Sequence, residues 1–206
     1  MELTDTKVYI ASVAQLSYDR LYAAASAERK AKADRLHFYG DKCRSIAAEA
    51  LLRHALAQLG IRDFRLETEE NGKPYLQNLP VHFSLSHSGD FVLCAVSGAE
   101  TGCDIQSIKT PDLQLARRFF APEEAKLTEN TPELFYRYWV LKESLGKTLG
   151  CGLNEKILRR EFDLSGAAAI LKDQPALHFK EFSLPGYRCA VCYQTKNISD
   201  LIQVVL

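Results

Sequence analysis

The chain has 206 residues, 47% of them apolar, and its 26 basic and 26 acidic side chains cancel to zero net charge. This length supports one domain, or two small ones, with an ample core, and the balanced charge favours neither nucleic-acid nor membrane-surface binding. No apolar run approaches the ~20 residues of a membrane-spanning helix, and the first residues lack a basic and apolar signal pattern, so we expect a cytoplasmic protein.

The residue pattern predicts an α+β chain. The predicted strands are 7–13, 64–69, 81–85, 91–97, 102–108, 178–183, 188–194 and 201–205. The predicted helices are 28–59 with a break near Tyr39 and Gly40, then 111–120, 122–127 and 134–149. The C-terminal third, from Phe162 onward, is predicted to be mostly strand.

Six cysteines raise the question of a zinc site or disulfides. Cys189 and Cys192 are the one pair at C-x-x-C spacing, and residues three apart on a strand point to opposite faces. No second pair or nearby histidine completes a zinc set. We therefore expect six reduced thiols and no zinc.

The run WVLKESLGKTLGCGL, residues 139–153, is the most informative segment. Trp139, Glu143 and Lys147 recur every four residues, so they project from one face of the predicted helix, and we place Lys142 beside them. We expect the glycines from Gly146 onward to break the helix into a loop. A carboxylate and two ammonium groups beside such a loop suit a phosphorylated ligand and its metal ion. The alternative is an exposed helix stabilised by a Glu143–Lys147 ion pair.

A second segment, residues 102–108, alternates apolar and polar side chains. On a strand, Cys103 and Ile105 would face a core while Asp104 and Gln106 would share the other face. Mg²⁺ prefers one or two carboxylates together with substrate phosphate and water. Asp104 and Glu143 would meet that requirement if the strand and the helix converge, although a single strand aspartate is most often a surface residue.

These segments resemble the signature motifs of the 4′-phosphopantetheinyl transferases, in the subgroup that activates surfactin synthetase. GCDIQSIK resembles the G-[IV]-D-[IV]-E motif, and residues 139–153 match W-x-x-K-E-[SA]-x-x-K-x-x-G-x-G-L at every fixed position. NGKPYL with HFSLSHSGDFVLCAVS, residues 71–97, and the basic segment 28–56 resemble two further family blocks. The resemblance spans about residues 5–195.

The resemblance implies an Mg²⁺-dependent enzyme that moves the phosphopantetheine arm of coenzyme A onto a serine of an apo acyl, polyketide or peptidyl carrier protein. Asp104 and Glu143 would hold Mg²⁺, Lys147 would contact the phosphate under attack, and Glu143 is the best candidate base, directly or through a water. His87 would contact the 3′-phosphate. The other implied coenzyme A contacts are Arg29, Lys32, Arg44, Ser45, Lys73, Pro74 and Ser86.

Two positions leave alternatives open. Gln106 stands where the subgroup usually has a second acid, so either its amide oxygen binds Mg²⁺ or a water takes that place; we favour the water, because Mg²⁺ commonly keeps several. His87 precedes a Ser88–Gly89–Asp90 turn and could simply cap it. The resemblance favours the binding role.

The family architecture implies two similar α/β halves related by a pseudo-twofold axis, with the active site between them. We place the halves at residues 1–101, with the nucleotide contacts, and 102–206, with the metal site and the catalytic helix. We expect a monomer. Competing functions are a coenzyme A or carrier-protein binding module with lost or weak turnover, for which Gln106 is the best argument, and an unrelated Mg²⁺-dependent phosphohydrolase.

Overall fold

A computed structural model describes residues 3–14 and 16–206. The helices are Tyr18–Ala24 (α1), Ala27–Asp34 (α2), Tyr39–Gln58 (α3), Leu113–Phe119 (α4), Pro122–Asn130 (α5), Leu134–Thr148 (α6) and Glu155–Leu158 (α7). The strands are Asp5–Ser12 (β1), Leu66–Thr68 (β2), Pro74–Leu76 (β3), His82–Ser88 (β4), Phe91–Ser97 (β5), Gly102–Ser107 (β6), Phe162–Asp163 (β7), Ile170–Leu171 (β8), His178–Leu184 (β9), Tyr187–Tyr193 (β10) and Asn197–Val204 (β11).

Two larger sheets repeat one arrangement. In the first, β1 is followed by α3 and by the hairpin β4–β5, and the strand order is β11-β1-β5-β4. In the second, β6 is followed by α6 and by the hairpin β9–β10, and the order is β6-β10-β9. In both, the second hairpin strand pairs antiparallel with the first strand of the unit. The predicted α+β fold with two similar halves is confirmed.

Each sheet is covered by a helix on one face and by the other sheet on the opposite face. Helix α3 packs on the first sheet and α6 on the second, each over its own apolar cluster. Side chains of both sheets form a third cluster between them, including Val8, Leu93, Ile105 and Val191. Strands buried on both faces read as continuous apolar runs, which is why FVLCAVS marks β5 so clearly.

The last strand of the chain returns to the first sheet. β11 pairs in parallel with β1, with Asp5 opposite Asn197 and Ala11 opposite Val204. The division into residues 1–101 and 102–206 stays a prediction, and the final strand lies on the sheet of the first part. Among the described residues, no helix combines the length and the apolar character needed to cross a bilayer.

The cysteines lie where strand geometry places them. Cys189 belongs to the cluster between the sheets and Cys192 to the cluster under α6, so the C-x-x-C pair points to opposite faces. The thiols of all six cysteines are free, and Cys151 is the exposed one among them. Within the described residues, no three His, Cys, Asp or Glu side chains are grouped as metal ligands.

Candidate active site

Helix α6 approaches strand β6 closely because Gly102 has no side chain. A Cβ at Gly102 would lie 2.1 Å from the carbonyl oxygen of Ser144 and 2.5 Å from the amide nitrogen of Thr148. Gly146 has a similar function within the helix, since its Cβ would lie 2.6 Å from the carbonyl oxygen of Gly152. The predicted helix 134–149 is confirmed as α6, which ends at Thr148. Gly146 lies inside this helix, so among the glycines expected to break it only Gly150 and Gly152 lie in the loop that follows.

This close approach joins Asp104 to Lys147. The Lys147 ammonium lies 2.7 Å from Asp104 Oδ1 and also donates to the carbonyl oxygen of Cys103 at 3.0 Å. Ser86 donates to the same Oδ1 at 2.7 Å. The second oxygen, Oδ2, is buried and has no hydrogen-bond partner among the described residues. An orphaned carboxylate oxygen is costly to bury, so this atom fits a bound cation.

Glu143 lies one helical turn before Lys147 and is half-buried. Burial raises the pKa of Glu143 above its ordinary value, the Asp104 charge raises it further, and Lys147 opposes both effects. Burial alone would lower the pKa of Lys147, but Asp104 and other neighbours raise it overall. The exposed helix with a Glu143–Lys147 ion pair is not observed, because the ammonium binds Asp104.

Gln106 shares the face of Asp104, two residues along β6, as the strand pattern predicted. Its side-chain oxygen accepts a long hydrogen bond of 3.4 Å from Ser88. Arg188 lies directly opposite Gln106 on β10, and its Nε is buried without a partner in the part of the chain described. A neutral amide therefore stands beside a cation at the place where the family motif has an acid.

Lys142 does not join this site. Its ammonium is fully buried on another side of α6, 2.6 Å from Glu124, and it also donates to the carbonyl oxygen of Arg160. The ammonium lies 5.2 Å from the ring centre of Phe120 and 5.6 Å from that of Phe162. Placing Lys142 beside Glu143 was wrong, because adjacent residues of a helix do not share a face.

Positive charges surround the exposed imidazole of His87, which we place at the mouth of the cleft between the two halves. Desolvation and the charges of Arg44, Lys147 and Lys32 lower the pKa of His87. Arg44 is fixed by its ion pair with Asp41 and by donating to the carbonyl oxygen of Gly89 at 2.9 Å. Several positive groups around one open cleft favour a ligand with more than one phosphate.

Two cavities flank the turn that carries Lys73 and Pro74. The first, of about 270 Å³, lies between the two halves and is lined by Asn71, Gly72, Lys73, Pro74, Phe83, Ser84, Leu85, Gly146, Lys147, Gly150 and Gly152. The second, of about 460 Å³, is lined by Ser26, Glu28, Arg29, Lys32, Glu49, Arg53, residues 64–68, Gly72 and Pro74. Both are bordered by Gly72 and Pro74, so they form neighbouring compartments that lead from Lys147 to the basic helix α2.

Comparisons with known proteins agree with this geometry. The sequence model described as 4′-phosphopantetheinyl transferase superfamily matches residues 100–193, and the one described as 4′-phosphopantetheinyl transferase, N-terminal, matches residues 14–99. The 4′-phosphopantetheinyl transferase psf-1 of Bacillus pumilus is 32% identical over 93% of this chain and 88% of its own length. The 4′-phosphopantetheinyl transferase Sfp of Bacillus subtilis (strain 168) is 31% identical, with 94% and 92% covered. The chain belongs to the 4′-phosphopantetheinyl transferase superfamily.

In this transferase, Arg29 and Ser45 lie beside a buried acid that the sequence reading missed. Glu49 of α3 accepts hydrogen bonds from the backbone of Ser26 at 2.9 Å and from Arg53 at 2.8 Å, and a longer one of 3.4 Å from Arg29. Ser45 is buried, 3.5 Å from the Arg29 guanidinium. Glu49 thus anchors α2 and two arginines that line the larger cavity. A lone acid in an apolar helical run was its one sequence signal.

Lys73 of the transferase also has partners that the sequence did not indicate. Its ammonium pairs with Glu100, which also lies 2.9 Å from the imidazole of His82. The Lys73 ammonium is 3.3 Å from the carbonyl oxygen of Thr148 at the end of α6. Lys73 therefore connects the turn of the first half to the site helix of the second.

Proposed function

We propose that this transferase moves the 4′-phosphopantetheine arm of coenzyme A onto a serine hydroxyl of an apo carrier protein and releases adenosine 3′,5′-bisphosphate. The observation that carries this proposal is the buried Asp104, clasped by Lys147 and Ser86 with one oxygen free, at the inner end of a cleft lined with cations. In the reaction, a bond forms between the serine oxygen and the β-phosphorus, and the bond from that phosphorus to the adenosine bisphosphate oxygen breaks.

Mg²⁺ fits the free oxygen of Asp104 together with the Glu143 carboxylate, and it would neutralise charge on the pyrophosphate. Gln106 would offer Mg²⁺ its neutral amide oxygen, or a water would take that ligand position. The donor set of two carboxylates and an amide is typical of Mg²⁺ rather than of zinc, since no thiol or imidazole belongs to it.

Lys147 stabilises the phosphate under attack. Phosphoryl-type transfer depends mainly on positioning and on neutralising charge, and the Lys147 ammonium is held at one point by Asp104 and by the Cys103 carbonyl. A fixed cation requires little reorganisation as negative charge develops on the leaving oxygen.

Glu143 accepts the proton of the carrier serine. The raised pKa of its carboxyl group makes it a stronger base than an exposed glutamate. Serine is a poor nucleophile until it loses its proton, so a nearby base is required for attack. Service as a metal ligand would reduce this basicity, so the serine proton would pass to Glu143 either directly or through a water.

The nucleotide occupies the two cavities on either side of Pro74. Lys73 and Pro74 line the inner compartment, and Pro74 also lines the larger one, so we assign the adenine end to these two residues. Arg29 and Lys32 from α2, Arg44 from α3, and His87 at the mouth supply positive charge for the phosphates. Ser45 acts behind them through Arg29.

The working unit is a monomer in the cytoplasm. Both halves of the site, with Lys73 on one side and Asp104 and Glu143 on the other, belong to one chain, so the site requires no second copy. The partners are coenzyme A and a carrier protein whose serine can reach Glu143.

The test is an incubation of the protein with coenzyme A, Mg²⁺ and a panel of apo acyl, polyketide and peptidyl carrier proteins. We expect equimolar release of adenosine 3′,5′-bisphosphate and a mass gain of one phosphopantetheine on the carrier. Tight binding of coenzyme A without either product would support instead the binding module, which the neutral Gln106 beside Arg188 favours. Hydrolysis of coenzyme A without any carrier would contradict both.

A further inference from the structure

Three serines at alternate positions of β4 hydrogen-bond to the edge of β6. Ser84 Oγ accepts the backbone N–H of Cys103 at 3.0 Å, Ser86 Oγ that of Ile105 at 3.3 Å, and Ser88 Oγ that of Ser107 at 3.0 Å. β4 and β6 belong to different sheets, so these bonds cross from one half of the molecule to the other. We call the three residues the serine ladder.

The ladder supplies hydrogen-bond acceptors to backbone N–H groups at the edge of β6, which would otherwise be unpaired. β6 pairs with β10 on one side only, and the N–H groups of Cys103, Ile105 and Ser107 receive side-chain oxygens in place of a neighbouring strand. Serines two apart share one face of a strand, so a single row of side chains serves three N–H groups.

Ser86 differs from Ser84 by a second bond. A backbone N–H can only donate, so Ser86 Oγ must accept from Ile105, and its own proton is left for the carboxylate of Asp104 at 2.7 Å. Ser84 has no acid beside it, because the corresponding residue of β6 is Gly102. Ser86 is also 7% exposed, so its hydroxyl is enclosed, and its proton is already used in the hydrogen bond to Asp104.

We propose that Ser86 is a positioning residue that fixes the orientation of Asp104, rather than a side-chain contact for the nucleotide. With Ser86 and Lys147 both on Oδ1, the carboxylate cannot rotate without losing two bonds, and Oδ2 is the oxygen presented to a cation. The ladder therefore couples the metal-binding geometry to the junction between the two halves. The inference rests on the proposed function, since it assigns Oδ2 to the metal of that site.

The experiment compares Ser86→Ala with Ser97→Ala, a control that removes another buried strand hydroxyl, one that hydrogen-bonds to Thr6 outside the site. Binding of Mn²⁺ to each protein in the presence of coenzyme A, without a carrier protein, is measured from the electron paramagnetic resonance signal of free Mn²⁺. Ser86→Ala should weaken Mn²⁺ binding roughly tenfold, the lower end for one hydrogen bond to a charged group. Ser97→Ala loses a buried hydrogen bond that does not involve Asp104, so its Mn²⁺ affinity should equal that of the parent.

The KM for coenzyme A at saturating Mg²⁺ distinguishes a Ser86 that positions Asp104 from a Ser86 that contacts the nucleotide. A positioning role leaves this KM unchanged in Ser86→Ala, and Ser86→Thr, which keeps the hydroxyl, recovers most of the Mn²⁺ affinity. A raised KM with parental Mn²⁺ affinity would overturn the inference while leaving the proposed function intact. If the parent protein fails to bind Mn²⁺ at all, the metal site of the proposed function is wrong, and the inference falls with it.

Discussion

Helix α6 carries two lysines five residues apart, and each forms an ion pair with a carboxylate from another element. Lys142 pairs with Glu124 at 2.6 Å, and Lys147 pairs with Asp104 at 2.7 Å. The first pair is fully enclosed among aromatic rings, and Glu124 also accepts the backbone N–H of Phe162. The second pair borders a cleft, beside Glu143 and an unpaired carboxylate oxygen.

The comparison shows that an ion pair alone does not identify a site. Burial raises the pKa of Glu124 and lowers that of Lys142, which is the effect of enclosing a pair that serves only structure. At the Asp104 pair, a third charge and an orphaned oxygen remain to be satisfied by a ligand. The difference predicts that the Lys147–Asp104 pair, the cleft pair, controls catalysis. The Lys142–Glu124 pair, the enclosed pair, controls stability.

Removing the acid of the cleft pair should have the largest effect on transfer. Asp104→Ala removes a metal ligand and the partner of Lys147, so kcat/KM should fall roughly a hundredfold or more at ordinary Mg²⁺. The measurement is adenosine 3′,5′-bisphosphate release with an apo carrier, with circular dichroism as the control for folding. A folded variant with near-normal turnover would remove Asp104 from the site.

Breaking the enclosed pair should act on stability instead. Lys142→Met leaves Glu124 buried without its counter-charge, which costs about 3–5 kcal/mol in the free energy of unfolding. Urea denaturation measures this, and turnover per folded molecule should change by no more than a few-fold. Lys142→Met combined with Glu124→Gln should recover part of the stability. Loss of turnover with unchanged stability would reverse the roles of the two pairs.

Sequence reasoning succeeded where one local pattern decides the structure. Strand β5 was predicted at its observed bounds because both of its faces are apolar, and α6 was predicted to within one residue. The shared face of Asp104 and Gln106 followed from strand periodicity alone. The direction of Lys142 could also have been inferred, since residues 142 and 143 point about 100° apart on a helix.

Other parts of the site depend on contacts between distant segments. Glu124 and Lys142 are 18 residues apart, as are Ser86 and Asp104, and no periodicity links such positions before the chain folds. The resemblance indicated that Ser86 belongs to the site, but it could not show that the hydroxyl faces Asp104. Glu49 and Glu100 belong to no recognised motif, because each holds a basic side chain from a distant segment, Arg29 and Lys73 respectively.

At the mouth of the cleft, His87→Ala should raise the KM for coenzyme A about ten- to a hundredfold, the range for one charge-assisted contact. Dephospho-coenzyme A lacks the 3′-phosphate, so parent and variant should use it almost equally. If the KM values for coenzyme A and dephospho-coenzyme A rise by the same factor, His87 does not contact the 3′-phosphate and only shapes the loop.

The same contact has a consequence for pH. The pKa of His87 is lowered in the free protein, and a bound phosphate should raise it, so coenzyme A binding should take up a proton near neutral pH. Calorimetry in buffers of different ionisation enthalpy measures this uptake. The KM for coenzyme A should rise with increasing pH in the parent and stay flat in His87→Ala.

The smallest effect on turnover is expected at Gln106, the residue that departs from the family motif. Gln106→Glu restores a negative charge at equal length, so Mg²⁺ should be required at lower concentration, with turnover changed only slightly. Arg188 lies opposite and will attract part of the new charge, so the gain should grow in Gln106→Glu combined with Arg188→Met. A variant that needs more Mg²⁺ than the parent would show that the amide itself is the better ligand.

The intact mass of an apo carrier protein, after incubation with coenzyme A and Mg²⁺, tests the central claim most directly. It is measured for the parent, Asp104→Ala and Lys142→Met, at a temperature where all three proteins remain folded. In the time that the parent needs for full conversion, we predict that Lys142→Met also converts most of the carrier to a species heavier by one phosphopantetheine, while Asp104→Ala converts about a hundredth of it or less. Comparable conversion by Asp104→Ala in that time, or no conversion by the parent, would contradict the assignment of catalysis to the Lys147–Asp104 pair of α6.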